Sequence, residues 1–353
     1  MKLATYQDGS RDGQLVVVSR DLSLAHHAAG IATRLQQVLD DWNFLSPQLQ
    51  DLYVTLNQGK ARHAFPFEPR QCMAPLPRAF QWADGAAYLP HLARLCQAHG
   101  AAMPADADSQ PLLAQAGSDD FLGPCQDAWC GSDTWGIDFG AGLAAITGDV
   151  AMGASAAQGL DGVRLLLLAN GWRLRALEAA ELTRGWGPLQ SRPATAFGPV
   201  AVTPDELGDA WQGGRVHLTL QSAVNGKKLG LNETGPEMQF HFGQLVAHLA
   251  KTRNLRAGSI VGSGPVGNQD AGKGHGCIAA RRALEAVDLG APTTPYLVAG
   301  DVVRLELKGR DGLSVFGAIT QRVAGPQAPG DDSADADNDA GGDADGPNAA
   351  APA

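Results

Sequence analysis

From Trp135 to Val323 the chain repeats one pattern: short alternating or β-branched runs, broken by turn residues. GIDFGAGLAAI, PVAVT, VHLTLQSAVNGKKLG, GSIVGSG, DVVRLELKG and SVFGAITQRV are the runs. Successive side chains on a strand point to opposite faces, so such runs predict strands. Within VHLTLQSAVNGKKLG, Asn225-Gly226 marks a hairpin. The chain opens the same way, with MKLATY and QLVVVS flanking the turn QDGSRDG. Helices are expected at 31–42, from Pro47 to 56, and at 161–169, 174–184 and 240–253. The last carries basic residues at its C-terminal end, where the helix dipole favours them. Strands and helices do not alternate in a βαβ rhythm. The pattern therefore predicts an α+β fold with a mixed sheet rather than a doubly wound one.

The run PFEPRQCMAPLPR holds four prolines and reads as a linker. It sets a boundary near residue 74, with a small N-terminal domain over 1–74 and a larger one over 75–325. The formal net charge of −10 is uneven, because 326–353 holds seven Asp and no Lys or Arg. Such a tail has nothing to bury and is expected to be disordered. The rest of the chain offers no basic patch for nucleic acid. No apolar run reaches the ~18 residues of a membrane helix, and MKLATYQDGSRDG turns polar too soon for a secretory signal. Five scattered cysteines suit a reduced, cytoplasmic chain.

Several motifs invite functional readings. GSGPVG at 262–267 follows a strand, as a dinucleotide fingerprint would. The segment after it, NQDAGKGHG, is loop rather than the helix that would hold a pyrophosphate. GNQDAGK resembles a phosphate loop, with Gly274 where Ser or Thr would bind magnesium. Both read better as one long Gly-rich loop, a feature that is often functional. His241 and His248 lack the i, i+4 spacing of a metal pair and read as surface or core residues. Cys125 and Cys130 have no second ligand pair for zinc. His275 differs, since it ends the Gly-rich loop just before the apolar CIAA, where it could face a pocket.

Longer strings resemble one family. MKLATYQDGSRDGQLVVVSRDL, APLPRAFQWADG, GSDDFLGP, WGIDF, ITGDV, LQSRPATAFGPVAVTPDELG, KTRNLRAGSIVGSG and FGAITQ are similar to the bacterial fumarylacetoacetate hydrolase family with a short N-terminal domain. The resemblance implies a mixed β-roll over 75–325, a homodimer, and chemistry on acylpyruvates or related β-dicarbonyl acids. It also implies a magnesium or manganese ion that chelates two substrate oxygens and acts as a Lewis acid. Its ligands would be an Asp in an early loop, a Glu-X-Glu pair on a strand and an Asp in an Asn-Asp motif.

The chain departs from that pattern where the chemistry lies. Where the family has a string like DFEAEVAVI, the chain has Asp138-Phe139-Gly140-Ala141-Gly142. Where it has Asn-Asp-Val-Ser-X-Arg, the chain has Asn170-Gly171-Trp172-Arg173-Leu174-Arg175. Gly140, Gly142 and Gly171 thus stand at three ligand positions, and Asp120 alone remains. The family's Ser-Gly-Thr becomes Ser263-Gly264-Pro265, its Glu becomes Ala280, and its pocket Lys becomes Arg192 after Gln190-Ser191. The expectation is a metal-free, roomier pocket without cofactor. In it Asp120 or His275 would move protons, Arg192 would hold an oxyanion, and Arg175, Arg192, Ser263 and Gln190 would bind substrate. If strand geometry is kept, carboxylates restored at the three glycines would again converge.

Three readings stay open. The chain is a family enzyme with metal-independent chemistry on a β-dicarbonyl small molecule. It is a non-catalytic protein that binds a small molecule or an active paralogue. Or it keeps metal-dependent hydrolysis through other ligands.

Overall fold

The computed structural model describes residues 1–98, 100–185 and 187–325. The acidic tail from residue 326 lies outside the described residues. The fold is α+β, built on two large sheets, with two two-stranded ones besides among the described residues. The larger has eleven strands. Its central strands are Ala201–Val202, Val163–Asn170, Ala141–Thr147, Ile260–Pro265 and Trp82–Gly85, in that order. It is mixed, because Ile260–Pro265 runs antiparallel to Ala141–Thr147 and parallel to Trp82–Gly85. The smaller sheet has five strands, ordered Lys227–Glu233, Thr219–Val224, Val302–Lys308, Ser314–Ala324 and Ala128–Trp129.

The opening hairpin forms as the turn chemistry predicts, with Lys2–Tyr6 paired to Gln14–Val18. It joins the large sheet directly, through the pairs Lys2 with Val202 and Leu3 with Ala201. The second hairpin turns at Asn225 and Gly226, whose φ values of +50° and +73° suit the tight turn that Asn-Gly favours.

The segment expected as a helix at 161–169 is instead the strand Val163–Asn170, at the middle of the large sheet. Its run of leucines is buried on both faces. Leu166 and Leu168 pack with Val303, Leu305 and Ile319 of the small sheet. Leu165 and Leu167 belong to a second buried cluster, which also holds Leu35, Val38, Leu49 and Tyr53 of the N-terminal helices. A strand covered on both sides loses its alternation, so an all-apolar run does not distinguish it from a buried helix. Each such leucine contributes about 1.5–3 kcal/mol of burial. The helices expected at 31–42 and 47–56 are Leu35–Asp40 and Trp42–Asn57, with Pro47 inside the second. The later two are Arg175–Thr183 and Phe242–Leu249. No helix among the described residues is long and apolar enough to cross a membrane.

Candidate functional site

The run GIDFGAGLAAI, expected as one strand, breaks in two. Ala141–Thr147 stays in the large sheet, while Ile137–Asp138 leaves it to pair with Arg173–Leu174. The break is bridged by backbone. Gly171 N–H donates to the Gly140 carbonyl at 2.9 Å, and Gly140 N–H donates to Asn170 Oδ1 at 3.1 Å. Asn170 is itself buried and donates to Gln321 Oε1.

The glycine face is packed against backbone, so the glycines at 140 and 142 do not themselves open space. A Cβ on Gly142 would lie 2.4 Å from the Gly264 carbonyl oxygen. A Cβ on Gly140 would lie 2.8 Å from the Gly171 carbonyl oxygen and 3.2 Å from Pro265 Cγ. Gly264 itself has φ +71°, a conformation natural to glycine, and comes so close to the Gly85 carbonyl that no Cβ would fit. Backbone thus fills the space that side chains at 140 and 142 would need.

Beside this face lies a buried cluster of charges. Arg173 Nη2 donates to Asp84 Oδ2 at 2.7 Å, and the other carboxylate oxygen accepts from Gly264 N–H at 3.0 Å. Both side chains are buried. Arg175 bonds Asp138 at 3.0 Å and Glu178 at 2.8 Å. Burial opposes its charge, but Asp138 and Glu178 raise its pKa further than burial lowers it. Asp138 also accepts from Ile278 and Ala279 N–H, at 2.7 and 3.0 Å, and so caps the helix Ile278–Leu289. Arg192 is half-buried; among the described residues its Nε has no partner, and its one side-chain bond runs 3.4 Å from Nη1 to the Ala114 carbonyl. Burial, then the charge of Arg173, brings its pKa down to about 10.

Two histidines complete the cluster. His91, on the helix Leu89–Ala98, packs against Gly267 of the Gly-rich loop, and His275 ends that loop. Each is buried, with an Nδ1 that has no partner among the described residues. Burial, then the charges of Arg175 and Arg94, lowers the pKa of His91 to about 3. Burial, then Arg94 and Arg281, lowers that of His275 to about 4. Both rings are therefore neutral at pH 7.

The residues singled out from sequence divide into two groups. Arg175 lies in the cluster, bonded to Asp138 and Glu178; Arg192 feels the charge of Arg173, and His275 shares the influence of Arg94 with His91. Asp120 is exposed and forms no ion pair among the described residues. Gln190 is exposed as well, and its backbone N–H bonds Glu181. Ser263 is buried, but its hydroxyl is spent on backbone, accepting from Leu143 N–H and donating to the Gly264 carbonyl. Sequence reasoning missed Asp84, His91 and Arg173. Arg173 had a signal, since it stands where the resembled motif has Ser. Asp84 and His91 had none beyond lying in or near a string shared with the family.

The family model described as "Fumarylacetoacetase N-terminal domain 2" matches residues 1–78, and that described as "Fumarylacetoacetate (FAA) hydrolase C-terminal" matches residues 81–324. The chain belongs to the fumarylacetoacetate hydrolase family. No curated protein matches it by sequence. Among solved structures, it is similar to a probable 2-hydroxyhepta-2,4-diene-1,7-dioate isomerase from Mycobacterium abscessus (18% identity, 93% of this chain and 100% of that chain, TM-score 0.63). It is also similar to fumarylacetoacetate hydrolase from Exiguobacterium antarcticum (18% identity, 92% and 99%, TM-score 0.61). A third is maleylpyruvate hydrolase from Sphingobium sp. SYK-6 (14% identity, 92% and 100%, TM-score 0.60). At these identities the likeness is one of fold.

The residues present do not fit the divalent cation that the family resemblance implies. Three of the four matched ligand positions are glycines, and the fourth, Asp120, is exposed. The carboxylate nearest Gly171, that of Asp84, is already held by a guanidinium and a backbone N–H. Among the described residues no three His, Cys, Asp or Glu side chains converge as a metal site would require.

Proposed function

We propose that this family member takes a small β-dicarbonyl or acylpyruvate-like acid at the arginine cluster and acts on it without a metal ion. The observation that carries this reading is Arg192. It is a half-buried guanidinium with an unpartnered Nε and no carboxylate paired to it among the described residues. An incoming carboxylate or enolate would satisfy it with charge-assisted hydrogen bonds. A carbon between two carbonyls is acidic, so its chemistry needs an oxyanion partner and a proton acceptor. The arginines would supply the first, and neutral His91 or His275 the second. Asp120, exposed, is dropped from that role.

A second reading, a non-catalytic binder of the same acids, is favoured by one fact. Imidazoles whose pKa values lie near 3 and 4 are weak bases at pH 7. Titration of purified protein with an acylpyruvate, with and without EDTA, separates the readings. Binding with turnover supports the enzyme, and binding without turnover supports the binder. Binding that requires magnesium or manganese would overturn metal independence. The reading includes a homodimer, as the family resemblance implies, and a cytoplasmic location, as the scattered cysteines suggest; sedimentation velocity would test the dimer.

A further inference from the structure

We propose that the Asp84–Arg173 ion pair is this chain's replacement for the divalent cation, with the Arg173 guanidinium as the fixed positive charge that meets a bound oxyanion. The inference rests on the proposed binding of an acid at the arginine cluster. Arg173 Nη1 would lie 3.3 Å from a Cβ on Gly171, and Asp84 Oδ2 3.6 Å from it. The guanidinium therefore stands where a side chain at that matched ligand position would begin. Glycine at 171 leaves room for it, and glycine at 262 leaves room for Asp84, whose Oδ1 a Cβ there would strike.

Asp84 holds Arg173 in place. It grips Nη2 with one oxygen and the Gly264 N–H with the other. Nη1 donates to the Trp172 carbonyl at 3.0 Å. A guanidinium has five N–H donors, and these two bonds are the ones Arg173 forms among the described residues. The remaining donors, Nε and one N–H on each Nη, are left for a ligand or solvent. Arg192 is close enough for the charge of Arg173 to depress its pKa. Both guanidiniums keep donors unused among the described residues, and a planar oxyanion with two adjacent oxygens would be suited to them. Hydrogen bonding from fixed donors would then do what chelation does in a metal site, with one positive charge in place of two.

Oxalate, a planar dianion with vicinal oxygens, is the probe. Calorimetric titration of the full chain should show binding whose affinity changes less than twofold between EDTA and manganese. Arg173→Gln should weaken it at least tenfold. If that variant does not fold, Arg173→Lys serves, since a point charge in place of a fork should also weaken binding tenfold or more. Arg192→Met reads the pocket itself. Loss of binding in Arg192→Met, with unaltered binding in the folded Arg173 variants, overturns the assignment to Arg173 and leaves the pocket standing. Absence of oxalate binding to the parent chain overturns the pocket and this proposal together. Binding that requires manganese overturns the replacement of the cation.

Discussion

A Cβ on Gly142 would sit 2.4 Å from the carbonyl oxygen of Gly264. The neighbour is backbone in a paired strand, so it has no rotamer by which to yield. Gly142→Ala should therefore destabilise by about 1–3 kcal/mol, the usual cost of overpacking a core. Gly171→Ala meets side-chain ends rather than backbone, Arg173 Nη1 at 3.3 Å and Asp84 Oδ2 at 3.6 Å, so a shift of a few tenths of an ångström accommodates it. Its cost should stay below about 1 kcal/mol. Urea unfolding of both variants checks the contrast, and equal costs would mean the two sites are equally loose.

The same packing removes the expectation that carboxylates restored at the glycines would converge on a metal. Glutamates at 140 and 142 would have to displace the backbones of Gly171 and Gly264. The triple variant Gly140→Glu, Gly142→Glu, Gly171→Asp should melt well below the parent and gain nothing from manganese. A manganese-dependent rise in melting temperature would show that the face can open.

Asp138 joins two parts of the site. It is fully buried, pairs with Arg175 and caps the helix Ile278–Leu289 with both oxygens. Asp138→Asn keeps the shape but loses the charge and one acceptor. Breaking a buried pair from one side costs about 3–5 kcal/mol. Glu178 still serves Arg175, so a loss near 3 kcal/mol is expected from denaturant unfolding. A loss below 1 kcal/mol would mean that Asp138 is not needed to hold Arg175.

The buried histidines set an acid limit on stability. Their ordinary pKa is about 6.5, and in the folded chain it falls to about 4 for His275 and about 3 for His91. Between these values the unfolded chain binds protons that the folded chain refuses. Stability is thus complete above pH 6.5 and is lost as pH falls toward 4 and then 3. With both rings contributing, the slope near pH 5 should approach about 2–3 kcal/mol per pH unit. His275→Gln should roughly halve it. A melting temperature flat from pH 7 to 5 would contradict the burial of both rings.

The strands were legible in the sequence wherever one face meets something different from the other. Alternation and Asn225-Gly226 place the hairpin Thr219–Val224 with Lys227–Glu233 without help from tertiary structure. The central strand Val163–Asn170 was not legible, because layers on both sides erase its alternation. For the site, the sequence offers a set of departures from the resembled pattern. Glycines stand at 140, 142 and 171, where the resemblance implies carboxylates, but no local pattern tells whether the space is open or filled. What fills it comes from Asp84 and Ser263–Pro265, far away in the chain, and only pairing of Ile260–Pro265 with both neighbours brings them there.

Asp84 and Arg173 should behave as one unit in stability. Either partner alone leaves a buried charge unpaired, so Asp84→Asn and Arg173→Gln should each cost about 3–5 kcal/mol. Removing both charges leaves no unpaired ion, and buried pairs replaced on both sides are often close to neutral. Gly264 N–H can still donate to the amide oxygen of Asn at 84. The double variant should therefore be more stable than either single one, with a coupling energy of about 3 kcal/mol in a double-mutant cycle. Guanidinium unfolding would blur the result through its own charge, so urea is the denaturant of choice. If the double variant loses the sum of the single losses, the two side chains stabilise the fold independently. Their 2.7 Å contact would then contribute nothing specific to it.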